Sequence, residues 1–154
     1  MPDPVSHLLQ RASWFAEKLF KQRGALRTMF WCTETEDGRR QMFESACTVE
    51  RAEVSDAEAL AVLCAELRAE FATDEVVRYA VAFAARATTL LWSSVLHRAI
   101  ERRAHEVIAL EAHAADVHLR AQRDIVHVGG VPRLAALGPI ELAPVAHFGS
   151  LITK

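Results

Sequence analysis

The stretch His105–Val128, HEVIALEAHAADVHLRAQRDIVHV, decides how the rest of this chain is read. Alternate positions divide it into two sets. Ile108, Leu110, Ala112, Val117, Leu119, Ala121 and Ile125 are apolar, while Glu111, His113, His118, Arg120, Gln122 and Asp124 are polar. Successive strand residues point to opposite faces, so a hairpin with an even-length loop keeps the sets apart and an odd loop mixes them. Pairing Ala114 with Val117 puts His113 opposite His118 and Glu111 opposite Arg120. The stretch therefore predicts two antiparallel strands with one buried face and one wet face.

Working outward, the chain opens on an amphipathic helix over Pro4–Arg23. Val5, Leu8, Leu9, Ala12, Phe15, Ala16, Leu19 and Phe20 fall at three- and four-residue steps, and Gly24 follows Lys21 and Arg23 as a stop. Two strands, Ala25–Glu36 and Arg39–Cys47, meet at Asp37-Gly38, which suits a tight two-residue turn. That turn sets Cys32 opposite Phe43 and Phe30 opposite Ser45. Leu26, Phe30, Cys32 and Phe43 then share one face, and Met29, Trp31 and Met42 the other. Ser55 and Glu58 form a capping box for a second helix whose stripe is Ala57, Leu60, Ala61, Cys64, Leu67 and Phe71. Val76–Ala87 reads as a strand. Thr88–Ala104 reads as a short helix from Ser94 or as a long loop. After the hairpin, Gly129-Gly130 turns the chain into a weak final strand over Arg133–Pro144. This order predicts a single α+β domain of 154 residues. Its two layers are a largely antiparallel sheet of about five to six strands and two helices on one face, with a loosely attached tail from about residue 145.

Bulk properties narrow the function. Half of the residues are hydrophobic (51%) and a quarter charged (25%), the balance of an ordinary globular domain. A formal net charge of −2 supplies no general attraction to nucleic acid or anionic membranes, so both are disfavoured as partners. Cys32, Cys47 and Cys64 are odd in number and lack CxxC spacing, which fits reduced thiols and a cytoplasmic location. The start MPDPVSHLLQRASWF lacks the apolar run of a signal peptide, and arginines interrupt every candidate membrane span.

Several stretches together resemble a group of small, uncharacterised bacterial α+β proteins. They are the opening helix, TEDGR at Thr35–Arg39, the acidic second helix leading into VVRYAVAF at Val76–Phe83, RRAHEVIALEAHAADVHLRAQRDIV, and PRLAALGPIEL at Pro132–Leu142. The resemblance spans most of the chain. The group carries no assigned activity, so it implies a fold and no chemistry. Its members tend to have a proline-containing segment where this chain reads FESACTVERAEV.

Three sets of residues are candidates for function. His113 and His118, opposite each other with Asp116 in the turn, are placed to share a metal. A plain wet face explains the same residues, because a structural zinc site shows four ligands at recognisable spacing. Met29, Trp31 and Met42, beside the Glu111–Arg120 pair, read as an apolar interface with charged edges, or as a satellite core under the 88–104 loop or the tail. Arg98, Arg102 and Arg103, near His97 and Trp92, suit an anion or a stacked base, or a solvated loop. No GxSxG, Walker loop, GxGxxG or HExxH occurs, and no cofactor is implied. The expectation is a non-enzymatic protein-binding or self-assembly module, a homo-oligomer or one bound to a protein partner, using the outer sheet face. The alternative is a metal-dependent or hydrolytic enzyme centred on His113, His118 and Asp116.

Overall fold

The computed structural model describes residues 3–26, 28–45, 54–93, 95, 98–143 and 151–152, with the side chains of 54–60, 86–93 and 98–104 outside the description. The elements are α1 (Pro4–Arg23), β1 (Met29–Thr35), β2 (Arg40–Ser45), α2 (Val54–Thr73), β3 (Val76–Ser93), β4 (Arg98–Ala114), β5 (His118–Val128), β6 (Val131–Leu134) and β7 (Glu141–Leu142). The strands form an antiparallel sheet in the order β2-β1-β3-β4-β5-β6, with β7 on β5. The fold is α+β, as the order of elements predicts.

Helix α1 forms for reasons visible in its ends. Asp3 accepts a hydrogen bond from the Val5 N–H at 3.2 Å, and Pro4 occupies the first turn, where no N–H is needed. Gly24, at φ 73°, closes it with an N–H donated to the Phe20 carbonyl at 2.7 Å. Its buried stripe, Val5, Leu8, Leu9, Ala12 and Ala16, packs on Phe30, Cys32, Ala80, Ala82, Ile108, Leu110 and Ala112. The alanines of β3 and β4 supply a shallow floor on which the helix can lie close.

The second helix does not join it. Cys64, Leu67 and Phe71 of α2 pack on Met29, Trp31, Tyr79, Val81 and Phe83, the residues of opposite parity in β1 and β3. The helices therefore lie on opposite faces, correcting the expectation that both cover one. The reason is compositional: β1 and β3 carry large apolar groups at both parities, so each face of the central sheet needs a cover. Leu151 and Ile152 are buried in the same α2-side cluster, which anchors the chain end expected to be loose. Residues 144–150, the start of that tail, lie outside the described residues.

Two further expectations change. The β1–β2 loop has three residues, with the Thr35 N–H donating to the Arg39 carbonyl at 2.9 Å and Gly38 at φ 88°. Thr35 Oγ1 donates to the Asp37 carboxylate and accepts from the Arg39 N–H at 3.0 Å, bonds that hold the wider loop. Trp31 then pairs with Phe43 and Cys32 with Met42, one residue away from the register of a two-residue turn. Such a slip moves every β2 side chain to the other face.

The second change is Thr88–Ala104, which is strand on both sides of the 94–97 segment. β3 and β4 pair from Arg78↔Ala114 out to Ser93↔Arg98, with a register shift between Leu91 and Trp92. A bulge there breaks the period-two pattern, which is why the sequence does not read as strand. The Ser55–Glu58 cap of α2 falls on side chains outside the described residues.

Candidate functional site

The β4–β5 hairpin keeps the register that its pattern dictates. Glu111 pairs with Arg120 and His113 with His118, and the Ala114 N–H donates to the Val117 carbonyl at 2.8 Å. The polar face, however, is not wet throughout. His113 is only 1% exposed and Glu111 8%, because this end of the face continues from the cluster that α2 covers. Tyr79, the β3 neighbour of His113, lies with its ring centroid 5.2 Å from the imidazole.

Buried polar groups need partners, and these have found one another. His113 Nε2 lies 2.8 Å from Glu111 Oε1, and His113 Nδ1 lies 2.9 Å from His118 Nδ1. A carboxylate can only accept, so His113 donates from Nε2. In the neutral ring Nδ1 then accepts from the Nδ1–H of His118, and in the imidazolium it donates to the His118 lone pair. Either way the chain Glu111–His113–His118 is satisfied, and it ends at Nε2 of the half-buried His118. The Tyr79 hydroxyl, buried beside it, has no hydrogen-bond partner among the described residues. Burial is the main cause, and the charge of Glu111 a lesser one, of a phenol held well above its ordinary range.

Two imidazoles on one tetrahedral zinc at about 2.0–2.1 Å each would hold their ligating nitrogens roughly 3.3 Å apart. The 2.9 Å separation is instead that of a hydrogen bond. Asp116 lies exposed in the hairpin turn, and among the described residues no group of three or more His, Cys, Asp or Glu side chains is gathered to hold a metal ion. What the arrangement can do chemically is pass a proton between a buried carboxylate and His118.

Beyond this chain the same face opens into a groove of about 510 Å³. Phe83, Ala85, Val107 and Ala109 line its apolar part, and Glu111, Arg120, Gln122 and Glu141 its polar edge. Arg120 reaches Glu141 of β7 at 3.7 Å, with both side chains more than half exposed. Such a pair contributes little to stability and remains available to a partner.

The other expected interface residues separate. Met29 and Trp31 are both fully buried: Trp31 stacks on Phe43 with centroids 6.2 Å apart and donates its indole N–H to Ser45 Oγ at 3.3 Å. They belong to the core, not to an exposed patch. Met42, 48% exposed, sits on the opposite face of the edge strand, in register with Cys32. The one-residue change in the β1–β2 register is what parts it from Trp31.

Arg98, Arg102 and Arg103 stand on β4 opposite Ser93, Leu90 and Thr89, in a ribbon and not in a loop. Their side chains lie outside the described residues, as do His97 and Cys47. Cys32 and Cys64 are buried, and burial pushes the Cys32 thiol up to about 12. That makes it a core residue and a poor nucleophile.

One residue escaped the sequence reading. Arg123 falls in the apolar register of β5, between Ala121 and Ile125, and is 7% exposed. Its guanidinium donates to the Ala135 carbonyl at 2.7 Å and to Glu17 at 2.9 Å, tying α1 to the segment after β6. A lone arginine among apolar alternates is the signal that marks it. Among the described residues no helix is long and apolar enough to cross a membrane. Compared with known protein families, curated proteins and solved structures, the chain matches none.

Proposed function

We propose that this chain is a non-enzymatic, cytoplasmic binding module that works by associating with a protein chain, its own copy first. The observation that carries this reading is the length of the β3–β4 ribbon. The two strands pair from Arg86↔Glu106 out to Ser93↔Arg98, while β1 leaves β3 at Ala82 and β5 leaves β4 at Val107. Among the described residues that outer part is flanked by no third strand.

A two-stranded ribbon alone in water is marginally stable, and its open edges present backbone donors and acceptors ready for another strand. The groove at its root offers Phe83, Ala85, Val107 and Ala109 for apolar contact, with Arg120 and Glu141 at the rim. Apolar area with a charged rim is the usual anatomy of an association surface. Of the interface residues expected from sequence, Glu111 and Arg120 belong to this reading.

The test is the solution mass by light scattering over a wide concentration range, with and without a strong chelator. A dimer that persists in chelator is the expected result, and a monomer at every concentration overturns the reading. A dimer that dissociates in chelator would favour the alternative, a metal-dependent or hydrolytic site at His113 and His118 with Asp116. The observation favouring that alternative is the hydrogen-bonded chain that orients His118. It requires stoichiometric metal in the purified protein, lost in His118→Ala.

A further inference from the structure

We propose that the cavity between the β1–β2 loop and the α2–β3 turn binds a free α-amino acid. Asp74 and Glu75 take its ammonium group, and Arg39 takes its carboxylate. The site lies apart from the β3–β4 ribbon and stands independently of self-association.

The fold brings the two loops to one end of the sheet. Thr35 closes β1 in register with Val76, the first residue of β3. Helix α2 ends at Thr73, and Asp74 and Glu75 alone carry the chain from it into Val76. The space left between these segments is about 440 Å³, lined by Thr33, Thr35, Arg39, Asp74, Glu75 and Val76. That is within the range of small-molecule sites.

One wall is negative. The last turn of α2 holds no basic residue, whereas α1 ends on Lys21 and Arg23. The carbonyl end of a helix is itself a negative pole, and here two carboxylates are added to it. Neither Asp74 nor Glu75 has an ion-pair or hydrogen-bonding side-chain partner among the described residues. Glu75 also stands at φ 59°, a left-handed conformation that is costly for a residue with a side chain. The fold thus holds in a strained position a carboxylate that none of its own contacts uses.

The facing wall is positive. Arg39 is exposed and spends its Nε on Asp37, which leaves the terminal guanidinium nitrogens to bind something else. Arg40 also lines the cavity, and it shares the single carboxylate of Glu34 with Arg78, so that group keeps one positive charge unmatched. On the floor Thr33 is only 3% exposed, and its hydroxyl makes no hydrogen bond among the described residues. No ion pair between described residues crosses the cavity, although its walls are opposite in charge. A simple anion would answer only Arg39, and a simple cation only the acidic wall. An α-amino acid carries both charges on one small molecule, and a guanidinium matches its carboxylate through parallel N–H bonds.

The test titrates the standard L-amino acids, one at a time, into nitrogen-15-labelled full-length protein and follows the amide shifts. Saturable shifts at Thr33, Thr35, Glu75 and Val76 are expected with at least one of them. The N-acetyl and α-amide forms of that amino acid, each lacking one charge, should fail to produce them. Arg39→Gln and Asp74→Asn should each weaken binding by about tenfold. Glu75→Gly removes a carboxylate and relieves the left-handed strain, so it should weaken binding while raising the urea midpoint. A carboxylate with a merely structural role would not move binding. No saturable shift with any amino acid at about 10 mM overturns the proposal. Equal binding of the acetylated or amidated form, or affinity unchanged in all three variants, does the same. Shifts produced by magnesium or calcium chloride, with none from the amino acids, would make this a cation site and also overturn it.

Discussion

Glu34 illustrates how a buried charge is kept. Burial works against its carboxylate, but hydrogen bonds and ion pairs from Arg40 and Arg78 outweigh that and hold the carboxyl below its usual range. A carboxyl with a depressed folded-state value contributes stability above its unfolded value of 4.5 and loses it as pH falls through the folded value. Urea denaturation of the wild type should therefore show stability falling below about pH 4.5. Glu34→Gln should cost roughly 1–3 kcal/mol at pH 7 and flatten that acid limb, and an unchanged limb would remove Glu34 from the explanation. His113 is another buried polar residue with a specific role, bridging Glu111 and His118. His113→Ala takes the imidazole donor from a buried carboxylate and should cost about 2–4 kcal/mol. His118→Ala, at the half-buried end of the chain, should cost distinctly less in the same denaturation experiment.

At the scale of elements, the two hairpins show what a pattern can and cannot settle. In β4–β5 the apolar and polar alternates are chemically distinct, so only one register keeps them apart, and it is the one observed. The polarity of a face does not say what lies over it, and the buried Glu111 and His113 were legible as neighbours but not as core. In β1–β2 both parities are apolar, so the hydrophobic pattern cannot decide between neighbouring registers. The decision passes to the loop, where the Thr35 hydroxyl bonds and the left-handed Gly38 select three residues. Gly38→Ala at φ 88° should destabilise by about 1 kcal/mol, measured as a lowered denaturation midpoint. Trp31→Ala should cost about 3–5 kcal/mol, because the indole fills the space between Phe43, Phe71 and Tyr79. Were Trp31 a surface contact, the same substitution would leave the midpoint unchanged and alter only association. The bulge at Leu91–Trp92 hid the ribbon for a similar reason: one extra residue erases the alternation by which strands are read.

The whole molecule is a central sheet with a helix on each face, and its two sides are closed differently. Against α1 the floor mixes alanines with Phe30, Ile108 and Leu110 and is tied by the buried Arg123, and against α2 it is aromatic and ends in a polar chain. The sheet edge at β2 is guarded by exposed Arg40, Gln41 and Glu44, the kind of edge that discourages further strands. The outer β3–β4 ribbon is placed differently, extending past the strands that flank it among the described residues. Amide hydrogen exchange across residues 98–106, followed at low and at high protein concentration, tests the proposed self-association at the bonds themselves. Slowed exchange of alternate amides in this stretch at high concentration, with β1 and α1 unchanged, is the result expected when a second copy pairs there. Exchange along 98–106 that is equally fast at every concentration contradicts it.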